Sequence, residues 1–339
     1  MKNKKRIMVQ CMTFLCKVNE NYNIYNEEWD QQKISKKRKN LCCILAAILF
    51  GTLALIIILN CLFSPKTPKA SYDRKNDFTL MDKIYISDAA QKLPKKGKLF
   101  CWVQTSKIYH DTRSLAINET WIHRCDHGQL FTSEKFNDSR IPYSTVFAGI
   151  PDDYYNLFFK SRFAFHYIHN HISADFDWYL KADDDTFVIV ENLQKYLAHL
   201  NPDEPHYLGY VLKPYLKNGY NAGGAGYVLS RAALKLFAEH LYYNESACPD
   251  DIYEDVGIAR CLASAGIYPE DTRNSKGQNR FNTFSPSNTF HQLKANIEWV
   301  KYKENMGYDA FANDLISFHH LTPDEIRLFD ILLYRTKIA

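Results

Sequence analysis

Hydrophobic positions fall into two regimes along this chain. Residues 41–63, LCCILAAILFGTLALIIILNCLF, form a run of twenty-three residues without a charge. At about 1.5 Å rise per residue, a helix of that length crosses the roughly 30 Å hydrocarbon layer of a bilayer. Helices buried in a soluble core are rarely apolar on every face. A cleaved signal peptide starts nearer the N-terminus, is shorter and ends on a small-residue cleavage site. The run therefore predicts a transmembrane signal-anchor over 41–63, with a tail at 1–40 before it. Residues 64–96 are polar, carry three prolines and lack a sustained period, which predicts a stem.

From residue 97 the pattern becomes that of a globular domain extending to 339. KLFCWVQT (98–105) is a short apolar run of the kind that makes a buried strand, and 111–124 follows as a helix capped by Asp111 or Thr112. GQLFTS and YSTVFAG predict further strands. Residues 154–171, with Leu157, Phe158, Phe163, Phe165 and Ile168, predict an amphipathic helix. DWYLKADDD is an apolar strand running into three carboxylates, 190–200 is helical again, and HYLGYVL is another strand. Strands alternating with helices predict an α/β fold with a mainly parallel sheet and helices on both faces. Ligands bind such sheets at the carboxyl ends of the strands, which is where Asp183, Asp184 and Asp185 stand.

Charge and cysteine content set the compartment. The 42 Lys and Arg nearly balance 38 Asp and Glu, and a net +4 over 339 residues excludes a nucleic-acid partner on charge grounds. The balance conceals segregation: Lys33, Lys36, Lys37, Arg38 and Lys39 precede the apolar run, and Lys66 and Lys69 are the nearby cations after it. The positive-inside rule then places 1–40 in the cytosol and 64–339 in the lumen, a single-pass type II topology. Cys101, Cys125, Cys248 and Cys261 lie on the lumenal side, an even number in an oxidising compartment. Three connectivities are open, and proximity favours Cys101–Cys125 with Cys248–Cys261. Asn118, Asn137 and Asn244 head N-x-S/T sequons on the same side.

Three adjacent aspartates repel one another and want a compensating cation. Alternate residues of an extended chain face the same way, so Asp183 and Asp185 converge on one metal. Oxygen ligands suit Mg²⁺ or Mn²⁺, and an added imidazole from His319 or His320 in LISFHHL moves the balance toward Mn²⁺. A solvated acidic turn capping the next helix is the plain alternative. Phe187 and Val188 exclude an EF-hand loop. A second carboxylate pair, Glu254 and Asp255, opens a helical stripe in CPDDIYEDVGIARCL. It serves either the helix dipole or proton abstraction from an acceptor hydroxyl. Between the clusters, NGYNAGGAGYVLSRAAL packs four glycines into eight residues, letting a bulky ligand approach the backbone. It lacks the G-K-[ST] of a P-loop.

These segments resemble glycosyltransferase family 31, and within it the branch of β1,3-galactosyltransferases that build the core 1 O-glycan. The matching pieces are LFCWVQT with TWIHRC, WYLKADDDTFVIVENL, KPYLKNGYNAGGAGYVLS, IYEDVGIARCL and ISFHH, in family order over most of 98–320. The resemblance implies a GT-A (Rossmann-like) lumenal domain in the Golgi membrane. It implies inverting transfer of galactose from UDP-galactose to the 3-OH of GalNAc α-linked to Ser or Thr of a glycoprotein. It implies Mn²⁺ on Asp183, Asp185 and His319, Asp255 as general base, and Gln104, Thr105, Lys160 and Asp184 on the donor. Glu254, Tyr220, Gly223, Gly224, Trp299 and Tyr302 would border the acceptor. A homodimer and a dedicated chaperone are further implied partners.

The chain departs from that branch in EWVKYKENMGYDAFAND (298–314). This stretch is shorter, lacks a Cys-Cys pair and leaves Trp299 and Tyr302 as its aromatic residues for stacking on a sugar. Tyr154 or Tyr155 replaces a basic or polar residue before Lys160. The alternatives are a family 31 β1,3-transferase with another donor or acceptor, such as GlcNAc in the manner of fringe proteins, and a non-catalytic chaperone-like relative. The latter predicts loss of a metal motif that is present here.

Overall fold

The nine residues of strand β1 (Lys96–Gln104) end in six consecutive buried positions. In a computed structural model, which describes residues 41, 44–55, 69–292 and 298–337, this strand lies inside a six-stranded sheet of order β3-β2-β1-β4-β9-β6. Its partners are β2 (His127–Phe131), β3 (Tyr143–Ser144), β4 (Asp175–Asp183), β6 (Tyr207–Gly209) and β9 (Tyr227–Ser230). Strands β1 to β4 pair in parallel. Strand β9 is antiparallel to both β4 and β6. Register sets Gln104 beside Asp183 at the carboxyl ends of the two central strands.

Side-chain alternation along β1 divides the core in two. Phe100 and Trp102 join Phe158, Phe165, Tyr227 and Ile258 on one face. Leu99, Cys101 and Val103 join Trp121, Leu193, Phe318 and Ile326 on the other. Helices cover both faces, as continuous apolar strands require: α1 (Leu157–Tyr167) and α3 (Glu254–Ser264) on the first, α2 (Val190–Leu197) and α4 (Pro323–Asp330) on the second. Short strands flank the main sheet: β5 (Phe187–Val188), β10 (Phe281–Asn282) and β11 (Ser317–Phe318) form one group, β7 (Val211–Leu212) and β8 (Tyr220–Asn221) another. Disulfides join Cys101 to Cys125 and Cys248 to Cys261, the pairing that proximity favoured.

Several elements differ from the sequence expectation for physical reasons. Helix α1 is not amphipathic: Lys160, Ser161 and Arg162 are buried with its aromatic residues, because it is covered by the sheet, by α3 and by residues 70–84. HYLGYVL makes two strands in different sheets. The chain leaves β6 at Gly209, where a Cβ would stand 2.9 Å from Asn221 Cγ. The helix expected over 111–124 begins earlier, at Lys107, and is broken into short turns after an extended Ser106.

The chain divides into two units, Met1–Thr67 and Pro68–Ala339. In the first, residues 44–55 are helical with Leu45, Ile48, Leu49 and Leu53 exposed. Residues 42, 43 and 56–63 of the expected anchor, 64–68 of the expected stem and the tail at 1–40 lie outside the described residues. No described helix is long and apolar enough to cross a membrane. Residues 69–96 of the expected stem belong to the second unit, with Tyr72, Leu80 and Ala90 buried.

Candidate functional site

Strand β4 delivers its carboxylates to the end of the sheet, where a turn closed by Thr186 N on Asp183 O redirects the chain. Each aspartate meets a different environment. Asp183 receives a hydrogen bond from Lys181 Nζ at 2.5 Å. Asp184 is buried and accepts from Thr105 Oγ1 at 2.6 Å and Arg113 Nη1 at 3.2 Å. Burial pushes its carboxyl up to about 7, against the Thr105 hydrogen bond, and the charges of Asp185 and Asp183 add to the rise. For Asp185, burial also opposes the charge, but the hydrogen bond and charge of His319, with Arg113 and His320, hold its carboxyl below the usual range.

Asp185 is also the centre of the metal-ligating group. Its Oδ1 lies 3.1 Å from His319 Nε2 and its Oδ2 3.9 Å from His320 Nδ1. Asp185, His319 and His320 each present a ligand atom within 4.8 Å of the others. One carboxylate and two imidazoles are a donor set that fits Mn²⁺ among hard and borderline divalent ions. His319 Nδ1 is buried without a hydrogen-bond partner, a polar atom left for a ligand to satisfy. Of the expected set Asp183, Asp185 and His319, the last two come together here. His320 joins them, and Asp183 stands with Lys181 instead.

The glycine-rich segment separates this group from the second carboxylate pair. A Cβ on Gly224 would fall 1.9 Å from His319 Cε1, and one on Gly223 would fall 2.4 Å from Glu254 Oε2. Gly223 N lies 3.5 Å from Asp255 Oδ2. Helix α3 starts at Glu254 after an extended Tyr253, so both acids occupy its first turn. Glu254 turns inward, accepting from Tyr227 OH at 2.7 Å, with Lys181 Nζ at 3.8 Å. Burial, with the Glu254 charge, pushes Asp255 up to about 7. That value suits a proton acceptor at neutral pH.

The remaining expected residues are placed as follows. Gln104 is buried at the end of β1, accepting from Ser161 Oγ at 3.3 Å. Lys160 is buried and paired with Asp152. Tyr220 is buried within electrostatic reach of Asp255, and its ring lies 6.4 Å from Tyr215. Tyr215 also contacts Tyr253 at 5.8 Å and Trp299 at 6.1 Å. A cavity of about 470 Å³ opens beside Tyr215 and Tyr253. The ring of Tyr302 is covered by the Arg273 guanidinium at 4.1 Å. Asn137 and Asn244 are exposed, whereas Asn118 Oδ1 is buried and Thr120 of its sequon donates to Ala116 O.

Two cations of the site were not identified from sequence. Arg113 reaches both Asp184 and Asp185, and Lys181 joins Asp183, Glu254 and Gly223 O. Repulsion within Asp183–Asp185 signalled that a counter-charge was needed, but nothing in the local pattern said which cation the fold would bring. Lys181 lies on β4 itself, two residues before Asp183, and that proximity was the available clue.

A profile of the Fringe-like family matches residues 95–271. The chain is 31% identical over 258 residues to glycoprotein-N-acetylgalactosamine 3-beta-galactosyltransferase 1 of Xenopus laevis, covering 74% of this chain and 70% of that protein. It is 30% identical over 196 residues to chondroitin sulfate synthase 3 of Homo sapiens, covering 52% of this chain and 22% of the relative. Among solved structures, a glycosyltransferase involved in the glycosylation of the major capsid of PBCV-1 is similar at 13% identity and a TM-score of 0.37, covering 70% of this chain and all of that one. That likeness is too loose to bear on the fold. The family match and the first relative carry the assignment: the chain belongs to glycosyltransferase family 31, the Fringe-like family.

Proposed function

We propose that this glycosyltransferase is an inverting, Mn²⁺-dependent β1,3-galactosyltransferase of the GT-A type. It moves galactose from UDP-galactose to the 3-OH of GalNAc-α-Ser/Thr on glycoproteins and forms the core 1 O-glycan. The observation that carries this reading is the placement of Asp255 across Gly223 and Gly224 from Asp185 and His319. A proton acceptor and a metal-ligating group are thereby held on two sides of one small-residue segment. In the transfer, the acceptor 3-OH gives its proton to the Asp255 carboxylate as its oxygen bonds to the anomeric carbon. The bond from that carbon to the diphosphate oxygen breaks, and its electron pair leaves with UDP. Held by Asp185 and His319, with Asp183 or His320, Mn²⁺ would neutralise charge on the diphosphate as a Lewis acid.

Gln104, Thr105, Asp184 and Lys160 line the donor side in this reading, and Arg113 keeps the aspartates in place. Gly223, Gly224, Glu254, Tyr220 and Trp299 border the acceptor, close to the cavity beside Tyr215 and Tyr253. Tyr302 borders the acceptor as well, with the Arg273 guanidinium over one face of its ring. Residues 41–63 anchor the enzyme as a single-pass type II protein of the Golgi membrane, with 64–339 in the lumen.

The test supplies the full chain with Mn²⁺, UDP-galactose and a GalNAc-α-Thr glycopeptide, and follows UDP release and product mass. Galactosylated product that disappears in EDTA and returns with Mn²⁺ is the expected result. Product from UDP-GlcNAc and none from UDP-galactose would replace the donor. Failure with every UDP-sugar on this and other glycan acceptors would overturn the reading.

A further inference from the structure

The departure at 298–314 builds a feature of its own. Lys213 N donates to Trp299 O at 2.8 Å and Lys301 N to Val211 O at 3.2 Å, so residues 299–301 run antiparallel beside β7. This pairing brings Lys213, Lys301 and Lys303 to the rim of a cavity of about 460 Å³, lined also by Val300, Tyr302 and Met306. Three ammonium groups around one cavity repel unless a counter-charge joins them. One carboxylate, Glu304, shares the lining and accepts from Tyr210 OH and from Asn279 Nδ2 at 3.1 Å, so the three lysines leave the rim with an excess of positive charge. Arg273 nearby is neutralised by Asp271. Lys301 Nζ donates one hydrogen bond to Asn218 O at 2.6 Å. Lys213 and Lys303 are exposed and make no ion pair among the described residues.

We propose that this trough binds an acidic stretch of the polypeptide acceptor and selects glycoprotein sites flanked by Asp or Glu. The proposal rests on the reading of a glycoprotein acceptor. The trough adjoins the acceptor side, because Trp299 leads through Tyr215 to Tyr253, two residues before Asp255. An extended peptide rises about 3.3 Å per residue, so alternate carboxylates about 7 Å apart meet successive flexible lysines. A sugar polymer fits less well. Saccharides favour an open aromatic face, and that of Tyr302 is taken by Arg273 at 4.1 Å, with Lys301 Nζ 5.7 Å away.

Fluorescence anisotropy on the full chain tests this with labelled peptides that share one backbone. One is a GalNAc-Thr glycopeptide flanked by Glu, one has Gln at the same positions, and one is the Glu peptide without the sugar. The Glu glycopeptide is expected to bind at least about fivefold more tightly than the Gln form at low salt, with the preference lost near about 0.5 M salt. The exposed pair Lys213→Glu and Lys303→Glu should remove the preference and Lys→Arg at both should restore it, while melting temperatures stay level. Equal affinity for the Glu and Gln peptides, or a preference untouched by the double reversal, overturns the proposal. So does tighter binding of a sulfated oligosaccharide that competes with the Glu peptide. Binding of the Glu peptide with and without the sugar alike upholds the trough and overturns the GalNAc reading separately.

Discussion

At the scale of single residues, the site turns on two groups whose charges the interior opposes. Burial and the Glu254 charge push Asp255 up to about 7, so the fraction able to accept a proton grows as pH rises through that value. kcat/KM should therefore climb between about pH 6 and 8 and level off above. Asp255→Asn should lower kcat by about 10³-fold and leave no base-dependent limb; an unchanged rising limb in this variant would remove Asp255 from the role. The same shift has the opposite sign for folding. A carboxyl whose folded value is raised contributes stability that is full below its unfolded value, near about 4, and is lost as pH rises through about 7. Urea unfolding of Asp255→Asn should lose that part of the pH dependence. Lys181 is the complementary case, a buried ammonium between Asp183 at 2.5 Å and Glu254 at 3.8 Å. Burial lowers its proton affinity, but the charges of Asp183 and Glu254 raise it further and keep it ionised. Lys181→Met takes the shared counter-charge from Asp183 and Glu254, and is expected to cost about 3–5 kcal/mol by denaturant unfolding. A loss below about 1 kcal/mol would mean that those carboxylates find other partners.

Between elements, the glycine segment after β8 couples the two chemical groups. Gly224 lies against the His319 ring so closely that a methyl there would sit 1.9 Å from Cε1. Neither the ring nor the backbone can retreat freely, since Gly224 O accepts from Thr186 Oγ1 at 2.6 Å. Gly224→Ala should thus displace His319 from Asp185 and weaken Mn²⁺ binding by about 10- to 100-fold. Titration of the full chain with Mn²⁺ reads this directly, and affinity equal to the parent would show that His319 is not a ligand. Much at this scale was legible in the sequence. The run DWYLKADDD announced a strand ending in acids, because a strand buried on both faces is continuously apolar and its first polar residues mark its end. The helix that follows YVLS starts by ordinary capping, Ser230 accepting from Ala233 N. The division of HYLGYVL was not legible, because Gly209 is small for the sake of Asn221 in another strand, and a linear pattern carries no sign of that neighbour. The covered face of α1 was hidden for the same reason: Arg162 looks like a solvent residue until its partner on another segment is known.

On the scale of the whole molecule, that partner changes what residues 69–96 are for. Their polar, proline-bearing composition resembles a spacer, yet the chain there is pinned to the globular unit by buried polar contacts that composition does not show. Tyr72 N donates to Asn156 Oδ1 at 2.9 Å, and Arg74 donates to Cys248 O at 2.8 Å beside the second disulfide. Asp77 is the hub. It pairs with Arg162 and accepts from Tyr72 OH at 2.9 Å and Tyr242 OH at 2.5 Å. Arg162 is 1% exposed, lies over the Tyr242 ring at 4.4 Å and donates to Tyr242 O at 3.1 Å. Removing one partner of such a pair strands the other charge in the interior, which costs more than the pair contributes. Asp77→Ala should therefore destabilise the globular unit by about 3 kcal/mol, although it lies in a stretch of spacer-like composition. Adding Arg162→Met should recover part of the loss, because the orphaned guanidinium is then gone. Thermal and urea unfolding of the two single variants and the double variant form a cycle that isolates the coupling. Additive losses, or an Asp77→Ala variant as stable as the parent, would return residues 69–96 to the role of a tether.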